Sequence, residues 1–350
     1  DCELSRGLGD VYKRQSLGEH KKAEEFYIKS ISSNSSDPAT LYGYAIQLLS
    51  IGEKDKGSKV LKKIIDISPT YTMAYFTLSR LVDTKKEPIY VNKILNFDEN
   101  FFKDNINRYN LLFAKSYIYH RVKNFEKSEL YLKKANVLKL IDKPNNSSKI
   151  LKLSREIFES QEGRRYKPNK NCSEITNIFI VGLPRSGSTL VESVLGTNKK
   201  VSNLGENSIF FNSFNESNPF NLDKLSDIYS SKIRNLIKNK ISTNKTLINY
   251  IYTPYILNNI HNSRIIFTFR NPLDNILSMY RAKFTGSGNE YSSCIISSAK
   301  VLLNHWIILQ KYKEIFNDEI YFLNYDKLVQ KPNIEIKKLI EWLNWEWDER

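Results

Sequence analysis

A glycine-containing loop near the middle of the chain combines residue types that bind an anion. An apolar strand pattern ending at Val181 runs into Gly182-Leu183-Pro184-Arg185-Ser186-Gly187-Ser188-Thr189, and apolar residues then recur at helical spacing. A strand, a loop and a helix in this order direct backbone N–H groups and the positive end of a helix at a phosphate. Arg185 adds a planar guanidinium to the loop. The sequence therefore predicts a site for a phosphate-like anion.

The same loop differs from the phosphate loop of nucleoside triphosphatases at one position. Gly182, Gly187 and Thr189 match the pattern G-x-x-x-x-G-K-[ST], but Ser188 stands where that pattern has lysine. Because that lysine contacts the β- and γ-phosphates, its absence argues against a triphosphate bound with magnesium. A phosphate-loop kinase is therefore the less favoured interpretation.

A second motif lies between Arg264 and Ser278. Its apolar strand pattern ends at Arg270, and Pro272 fits the first turn of the helix that follows. Arg270 at the carboxyl end of the strand and Ser278 two turns into the helix can converge on one anion. This spacing predicts a second anion-binding pair.

The two motifs, in this order, resemble those of the sulfotransferases. The resemblance is to the branch that includes tyrosylprotein sulfotransferases and bacterial sulfotransferases fused to tetratricopeptide repeats, and it covers roughly residues 16–350. It implies an α/β domain of the phosphate-loop type with a parallel sheet, which uses 3′-phosphoadenosine-5′-phosphosulfate (PAPS) as the donor. It also implies a 3′-phosphate site at Arg270 and Ser278. The implied 5′-phosphosulfate site comprises Pro184, Arg185, Ser186, Gly187, Ser188 and Thr189.

Two further motifs take their meaning from this resemblance. Leu204-Gly205-Glu206 matches the position of the family's catalytic glutamate, which implies that Glu206 is the general base for an acceptor hydroxyl. Residues 243–250 resemble the family segment D-K-x-P-x-N, which implies that Lys245 stabilises charge on the leaving phosphosulfate. The segment keeps the family's Lys and Asn at Lys245 and Asn249 and replaces its Asp and Pro by Asn244 and Leu247.

The implied reaction transfers a sulfuryl group to a hydroxyl. Glu206 would deprotonate the acceptor, while Lys245 and Arg185 would stabilise the negative charge that gathers during transfer. Since a sulfuryl group carries less charge than a phosphoryl group, no metal is expected. The expected acceptor is a peptide or a saccharide, and the Glu206 and Lys245 pattern suggests protein tyrosine.

The first half of the chain is predicted to be an α-helical repeat. Residues 17–23 recur as residues 51–57, and a third copy begins at Asn124. Gly57 and Ser128 occupy equivalent positions, where small residues let paired helices approach closely. The period resembles the tetratricopeptide repeat family, a solenoid of helix pairs. Such a stack has a concave face for a peptide or protein partner, or it only braces the next domain.

These patterns divide the chain into four parts. Residues 1–15 resemble the translation of a sequencing-library adapter and are interpreted as a non-native leader. The repeats occupy residues 16–141, and a polar segment broken by prolines connects them to the next domain over residues 142–174. The sulfotransferase-like domain occupies residues 175–350. Because family members continue beyond this point, the C-terminus is expected to be truncated.

The chain is basic, and its charge is unevenly placed. The sequence has 53 Lys and Arg against 38 Asp and Glu, a net charge of +15, and residues 1–170, with 32 basic and 21 acidic residues, carry +11 of it. The lysines are scattered along helical patterns, which favours solvated helix faces over a nucleic-acid site. No apolar run reaches the roughly 18 residues of a membrane span, and the three cysteines lie far apart. A bacterial, cytoplasmic protein is expected.

One alternative to an active enzyme stays open. The departures at Asn244 and Leu247 and the expected truncation suit a catalytically impaired repeat scaffold that binds the nucleotide or a partner peptide. Such a protein would bind PAPS without transferring its sulfuryl group to any acceptor.

Overall fold

The computed structural model describes Tyr27, residues 36–161, residues 175–217, Leu222 and residues 224–347. The chain divides into two compact units, Asp1–Pro144 and Asn145–Arg350. The predicted leader and most of the first predicted repeat copy lie outside the described residues. Within the described ranges, no helix is both long enough and apolar enough to cross a membrane.

The described part of the first unit is helical, as predicted. Pro38 and Pro88 lie in the first turns of their helices, where the missing N–H breaks no helical hydrogen bond. The helices are α1 (Pro38–Ser50), α2 (Lys54–Ile67), α3 (Thr72–Ser79), α4 (Pro88–Asn96), α5 (Asn105–Arg121) and α6 (Phe125–Asp142).

Two helix pairs of this unit pack closely at the small residues of the repeat pattern. A Cβ atom on Gly57 of α2 would lie 2.8 Å from Leu49 Cδ2 and 3.3 Å from the Ala45 carbonyl oxygen, both in α1, so the two helices are close at this point. Ser116 of α5 and Ser128 of α6 each donate a hydrogen bond from Oγ to the other's carbonyl oxygen, at 2.9 and 3.0 Å. These contacts agree with paired helices, while the tetratricopeptide assignment stays a prediction.

The second unit is built on a five-stranded parallel sheet, which confirms the predicted α/β class. Because helices cover both faces of the sheet, its central strands are continuous apolar runs. Phe179 and Phe267 face one side, and Ile178 and Ile266 face the other. The strands are β1 (Thr176–Gly182), β2 (Val201–Asn203), β3 (Ile241–Asn244), β4 (Ser263–Phe269) and β5 (Ile320–Asn324), in the order β2-β3-β1-β4-β5.

The helices of this unit include one that lies in the predicted connecting segment. That helix, α7 (Ser147–Gln161), packs Ile150 and Ile157 into the core of the second unit. The others are α8 (Ser188–Leu195), α9 (Ile209–Glu216), α10 (Leu225–Arg234), α11 (Thr253–Asn259), α12 (Pro272–Arg281), α13 (Ile295–Ile315), α14 (Tyr325–Gln330) and α15 (Pro332–Trp342), with 3₁₀ turns at Leu247–Tyr250 and Glu290–Ser293.

The strand order places the candidate residues at one edge of the sheet. Strand β1 lies between β3 and β4, so the chain leaves β1 towards one side and later returns on the other. In parallel sheets a ligand crevice forms outside the carboxyl ends of the strands at such a reversal. Residues that directly follow the strands therefore lie together at this edge.

Candidate functional site

The loop after β1 has a shape that requires glycine at both ends. Gly187 has a φ of +91°, and a Cβ atom there would overlap the ring of Tyr325. Gly182 has a φ of +145°, and its Cβ atom would lie 2.8 Å from Thr268 Oγ1. Helix α8 begins directly after Gly187, which provides no side-chain cap. The first backbone N–H groups of α8 are therefore available to an anion.

Hydrogen bonds to the sheet and to α12 hold this loop in place. Ser186 Oγ donates to the Leu183 carbonyl oxygen at 2.7 Å and lies 2.7 Å from Thr268 Oγ1. Asn275 of α12, which is buried, donates from Nδ2 to the Pro184 carbonyl oxygen at 2.8 Å. The Ser186 hydroxyl thus has a structural role, because it holds the loop against β4.

The structure joins the two predicted anion motifs through Arg185 and Ser278. Arg185 Nε donates to Ser278 Oγ at 3.1 Å. Arg185 is exposed and has a φ of +70°, a left-handed conformation that is uncommon outside glycine. Ser188 is buried, whereas Thr189 is exposed at the start of α8. The exposed members of the loop are therefore Arg185 and Thr189.

Arg270 lies at the carboxyl end of β4, as predicted, but it contacts acidic side chains rather than Ser278. Its guanidinium is 3.6 Å from Asp274 Oδ2 and 3.6 Å from Asp326 Oδ1. The guanidinium also lies over the ring of Tyr325, 5.2 Å from its centroid. Among the described residues, Arg270 Nε is buried without a hydrogen-bond partner. That Nε atom is the one nearest Asp326, so Arg270 is paired with two carboxylates at the point where the sequence predicts an anion.

Glu206 and Lys245 come together from the loops that follow β2 and β3. Lys245 Nζ donates to Glu206 Oε1 at 3.2 Å. The Lys245 side chain is 9% exposed and the Glu206 side chain is 70% exposed. A backbone hydrogen bond of 2.9 Å from Lys245 N to the Gly205 carbonyl oxygen fixes the two loops against each other. The pair thus places an accessible carboxylate, that of Glu206, next to the buried ammonium of Lys245.

The loop after β3 keeps an ordered turn although it lacks the Asp and Pro of the family segment. Asn244 Oδ1 accepts a hydrogen bond from Thr246 N at 3.0 Å, as an aspartate could, and Asn244 Nδ2 donates to Asn207 Oδ1 at 3.1 Å. Leu247 then begins a 3₁₀ turn that ends at Tyr250. The two departures in sequence therefore leave Lys245 on a hydrogen-bonded loop.

A cavity of about 200 Å³ lies between Glu206 and the loop after β1, residues 182–189, which is called the phosphate loop below after its predicted ligand. Among the described residues that line it, Glu206 is the single charged one. The phosphate loop contributes Gly182, Leu183 and Pro184, and the remaining walls are Ile150, Thr246, Leu247, Ile248, Tyr250, Ser287, Gly288, Asn289, Tyr291 and Val301.

Three residues at the site were not predicted from the sequence. Tyr325 and Asp326 directly follow β5, so the rule that strand ends carry the site could have found them. Glu192, on α8, lies 3.8 Å from Lys245 Nζ and has the sequence context of an ordinary helix residue. Within the described ranges, no group of three or more His, Cys, Asp or Glu residues could hold a metal ion.

The second unit matches a known protein family. Residues 177–231 and 220–349 match the model of the sulfotransferase family. Over 331 residues, the chain is 23% identical to a protein of Aquifex aeolicus (strain VF5) described as uncharacterized. That alignment covers 87% of this chain and 43% of the relative, so the chain spans less than half the relative's length. The family match supports a sulfotransferase domain over residues 177–349.

Solved structures of low sequence identity are also similar to the chain. A sulfotransferase domain from the curacin biosynthetic pathway has a TM-score of 0.37 and 18% identity, covering 50% of this chain and 76% of that chain. The sulfotransferase domain of the Synechococcus PCC 7002 olefin synthase has a TM-score of 0.38 and 16% identity, covering 53% of this chain and 79% of that chain. A sulfotransferase from Mycobacterium tuberculosis H37Rv has a TM-score of 0.33 and 12% identity, covering 77% of this chain and 92% of that chain.

Proposed function

We propose that the chain is a sulfotransferase, as its family match suggests, and that it moves a sulfuryl group from PAPS to an acceptor hydroxyl. One observation carries this proposal: the phosphate loop and Glu206, whose carboxylate accepts a hydrogen bond from Lys245, line one cavity. Gly182 and Pro184 line that cavity together with Glu206. An anion-binding loop and an accessible carboxylate are the two parts that sulfuryl transfer to a hydroxyl requires.

The residues around the loop fit a donor with two separate anionic groups. The uncapped start of α8, with Arg185, Ser188 and Thr189, would hold the 5′-phosphosulfate. The Arg270 guanidinium and the Ser278 hydroxyl would hold the 3′-phosphate, which would replace Asp274 or Asp326 as the anionic partner of Arg270. Pro184, Ser186 and Gly187 would contribute backbone rather than side chains. The lysine that a triphosphate would need is replaced by Ser188, which favours PAPS over ATP.

The proposed mechanism uses three charged side chains. When bound, PAPS supplies a sulfuryl group attached to its 5′-phosphate. Glu206 accepts the hydroxyl proton of the acceptor as the new oxygen–sulfur bond forms. Lys245 and Arg185 stabilise the charge that develops as the bond between sulfur and the phosphate oxygen breaks. The proton ends on Glu206, and the products are the sulfate ester and adenosine 3′,5′-bisphosphate.

The cavity beside Glu206 favours a tyrosine side chain over a saccharide as the acceptor. An apolar cavity of about 150 Å³ is enough to hold a benzene ring, so this cavity of about 200 Å³ has room for a phenol. Its walls are mainly aliphatic and aromatic, including Leu247, Tyr250 and Tyr291. A buried saccharide needs a hydrogen-bond partner for each hydroxyl, and the polar side chains of the lining, Glu206, Thr246, Ser287 and Asn289, are outnumbered by its aliphatic and aromatic ones.

The test is transfer of labelled sulfate from PAPS to a panel of tyrosine peptides, phenols and sugars, run with and without EDTA. We expect transfer to the peptides and phenols that EDTA does not reduce, and calorimetric binding of PAPS but not of ATP. Transfer of phosphate from ATP that needs magnesium would instead identify a kinase. Binding of PAPS without transfer to any acceptor would identify the impaired scaffold.

We also propose that the first unit is a tetratricopeptide-type stack of helix pairs that binds a partner peptide on its face. The close packing at Gly57 and Ser128 supports paired helices of that kind. The bacterial source and the cytoplasmic location remain predictions from the sequence.

A further inference from the structure

A buried carboxylate that the proposed mechanism does not use lies against the candidate site. Glu192 lies in the second turn of α8, the helix that begins at the phosphate loop. Its side chain is 11% exposed, which is unusual for a glutamate. A buried ionised group is costly unless it is paired and hydrogen-bonded. The partners of Glu192 therefore indicate why it is there.

Glu192 contacts both loops that carry the proposed chemistry. Its Oε1 atom accepts hydrogen bonds from the Gly205 backbone N and from Thr243 Oγ1, each at 3.1 Å. Its Oε2 atom lies 3.8 Å from Lys245 Nζ. Gly205 directly precedes Glu206, and Thr243 lies two residues before Lys245. One side chain on α8 thus connects the phosphate-loop helix to both loops.

Lys245 lies between two carboxylates of different accessibility. Glu206 is largely exposed and, in the proposed reaction, takes up a proton and loses its charge. Glu192 is buried and is not among the residues that line the cavity, so it is not placed to take the acceptor proton as Glu206 is. A buried ammonium left without any anionic partner is strongly destabilised. The Glu192 carboxylate therefore keeps Lys245 in place at the moment when Glu206 becomes neutral.

We propose that Glu192 is a positioning residue for sulfuryl transfer, one that holds Lys245 by charge and the Gly205–Glu206 backbone by a hydrogen bond. This inference rests on the proposed function for the roles of Glu206 and Lys245. The contacts separate the two effects, because Oε2 faces the ammonium and Oε1 faces the backbone amide. Variants that remove one or both effects can therefore test the inference.

The experiment compares Glu192→Gln and Glu192→Ala with the wild type in the full chain. Gln keeps an oxygen for the Gly205 amide and removes the charge, so we expect kcat to fall about tenfold with the KM for PAPS within about twofold. Ala removes both effects, and we expect about a hundredfold loss of kcat. Hydrogen exchange at the Gly205 amide, followed by NMR, should be about tenfold faster in Glu192→Ala and unchanged in Glu192→Gln.

Glu99→Gln is the matched control, because it makes the same change in another buried pair. Glu99 Oε2 lies 2.6 Å from Lys115 Nζ in the first unit. We expect this variant to keep wild-type kcat. A wild-type kcat in Glu192→Gln, or unchanged Gly205 exchange in Glu192→Ala, would overturn the inference.

Failure of the proposed function would be recognised separately. If the wild type transfers no sulfuryl group to any acceptor, the proposed function is wrong. In that case the hydrogen-exchange rate of the Gly205 amide still tests the contact between Glu192 and Gly205. Faster exchange in Glu192→Ala supports it, and unchanged exchange overturns it. Should Glu192→Ala fail to fold, the Glu192→Gln kinetics decide the charge effect.

Discussion

At the scale of single residues, two glutamates with the same side chain have different proposed roles because their surroundings differ. Glu206 and Glu192 both lie close to Lys245, but only Glu206 is open to a ligand. An exposed carboxylate on a cavity wall can meet a substrate hydroxyl, whereas a buried one that accepts two hydrogen bonds can only hold its neighbours. Removing each carboxylate should therefore have a different effect.

Replacing Glu206 by Gln removes the proposed base and keeps its size. We expect turnover to fall by about 10²–10⁴-fold, the range for loss of a general base. The binding of adenosine 3′,5′-bisphosphate should be unchanged, because Glu206 lies on the cavity wall and not in the phosphate loop. Transfer of labelled sulfate gives the turnover, and calorimetry gives the Kd.

Glu216→Gln is the control for this variant. Glu216 is also an exposed glutamate paired with a lysine, with its Oε2 2.5 Å from Lys232 Nζ. Its change should leave both turnover and nucleotide binding at wild-type values. A loss of nucleotide binding in Glu206→Gln would contradict the role given to Glu206.

At the scale of elements, contacts from α12 and α14 hold the phosphate loop between β1 and α8. Gly187 packs against Tyr325 at the start of α14, and Pro184 is held by Asn275 of α12. These contacts come from chain segments about 90 to 140 residues away in sequence. Two variants test whether the loop's shape depends on them.

Gly187→Ala should weaken nucleotide binding through a clash as well as through backbone strain. Its Cβ atom would overlap the Tyr325 ring, at a φ of +91°. The strain alone costs about 1–3 kcal/mol, and the clash must also displace Tyr325 from Arg270. We expect the Kd for adenosine 3′,5′-bisphosphate to rise at least tenfold by calorimetry.

Gly52→Ala is the control, because it introduces the backbone strain of an alanine at positive φ without a steric clash. Gly52 has a φ of +88° and no atom within 4 Å of an added Cβ, and it lies in the first unit. This variant should lose stability by a similar strain and keep wild-type nucleotide binding. Equal Kd values in Gly187→Ala and the wild type would show that the contact with Tyr325 does not shape the loop.

Asn275→Ala should loosen the phosphate loop by freeing the Pro184 carbonyl oxygen. Loss of this hydrogen bond costs about 1–3 kcal/mol because the oxygen is left without its partner. We expect nucleotide Kd to rise several-fold by calorimetry. Asn259→Ala is the control, since Asn259 Nδ2 makes the same kind of bond, 2.9 Å, to the Tyr255 carbonyl oxygen within its own helix. A Kd no higher than that of Asn259→Ala would contradict the prediction.

The sequence predicts elements well where the signal is local. The strand, loop and helix at residues 176–195 and the strand ending before Arg270 are in place, because each depends on apolar runs and glycines within one segment. Glu192 and the cavity could not be predicted, because long-range contacts create them. Glu192 is buried by the loops after β2 and β3. The cavity is lined by residues as far apart in the sequence as Ile150 and Val301.

At the scale of the whole molecule, charge and chemistry are separated along the chain. Residues 1–170 carry +11, whereas the charged residues of the candidate site all lie after residue 175. Anion binding is therefore expected to depend on Arg185, Arg270 and Lys245 rather than on bulk charge. All four tryptophans also lie in the second unit, at positions 306, 342, 345 and 347. Tryptophan fluorescence thus reports the unfolding of that unit.

Acid should destabilise the second unit because His305 is buried without charge. Its ring packs against Tyr250 and Phe267, at centroid distances of 4.8 and 4.7 Å, and burial lowers its pKa from 6.5 to about 3. Between these values only the unfolded chain binds the proton, so the free energy of unfolding falls as the pH drops below 6.5, by up to about 1.4 kcal/mol per pH unit. Urea unfolding followed by tryptophan fluorescence at pH 7 and pH 5 should show this loss in the wild type and a smaller one in His305→Phe. Equal losses in both proteins would exclude His305 as the cause.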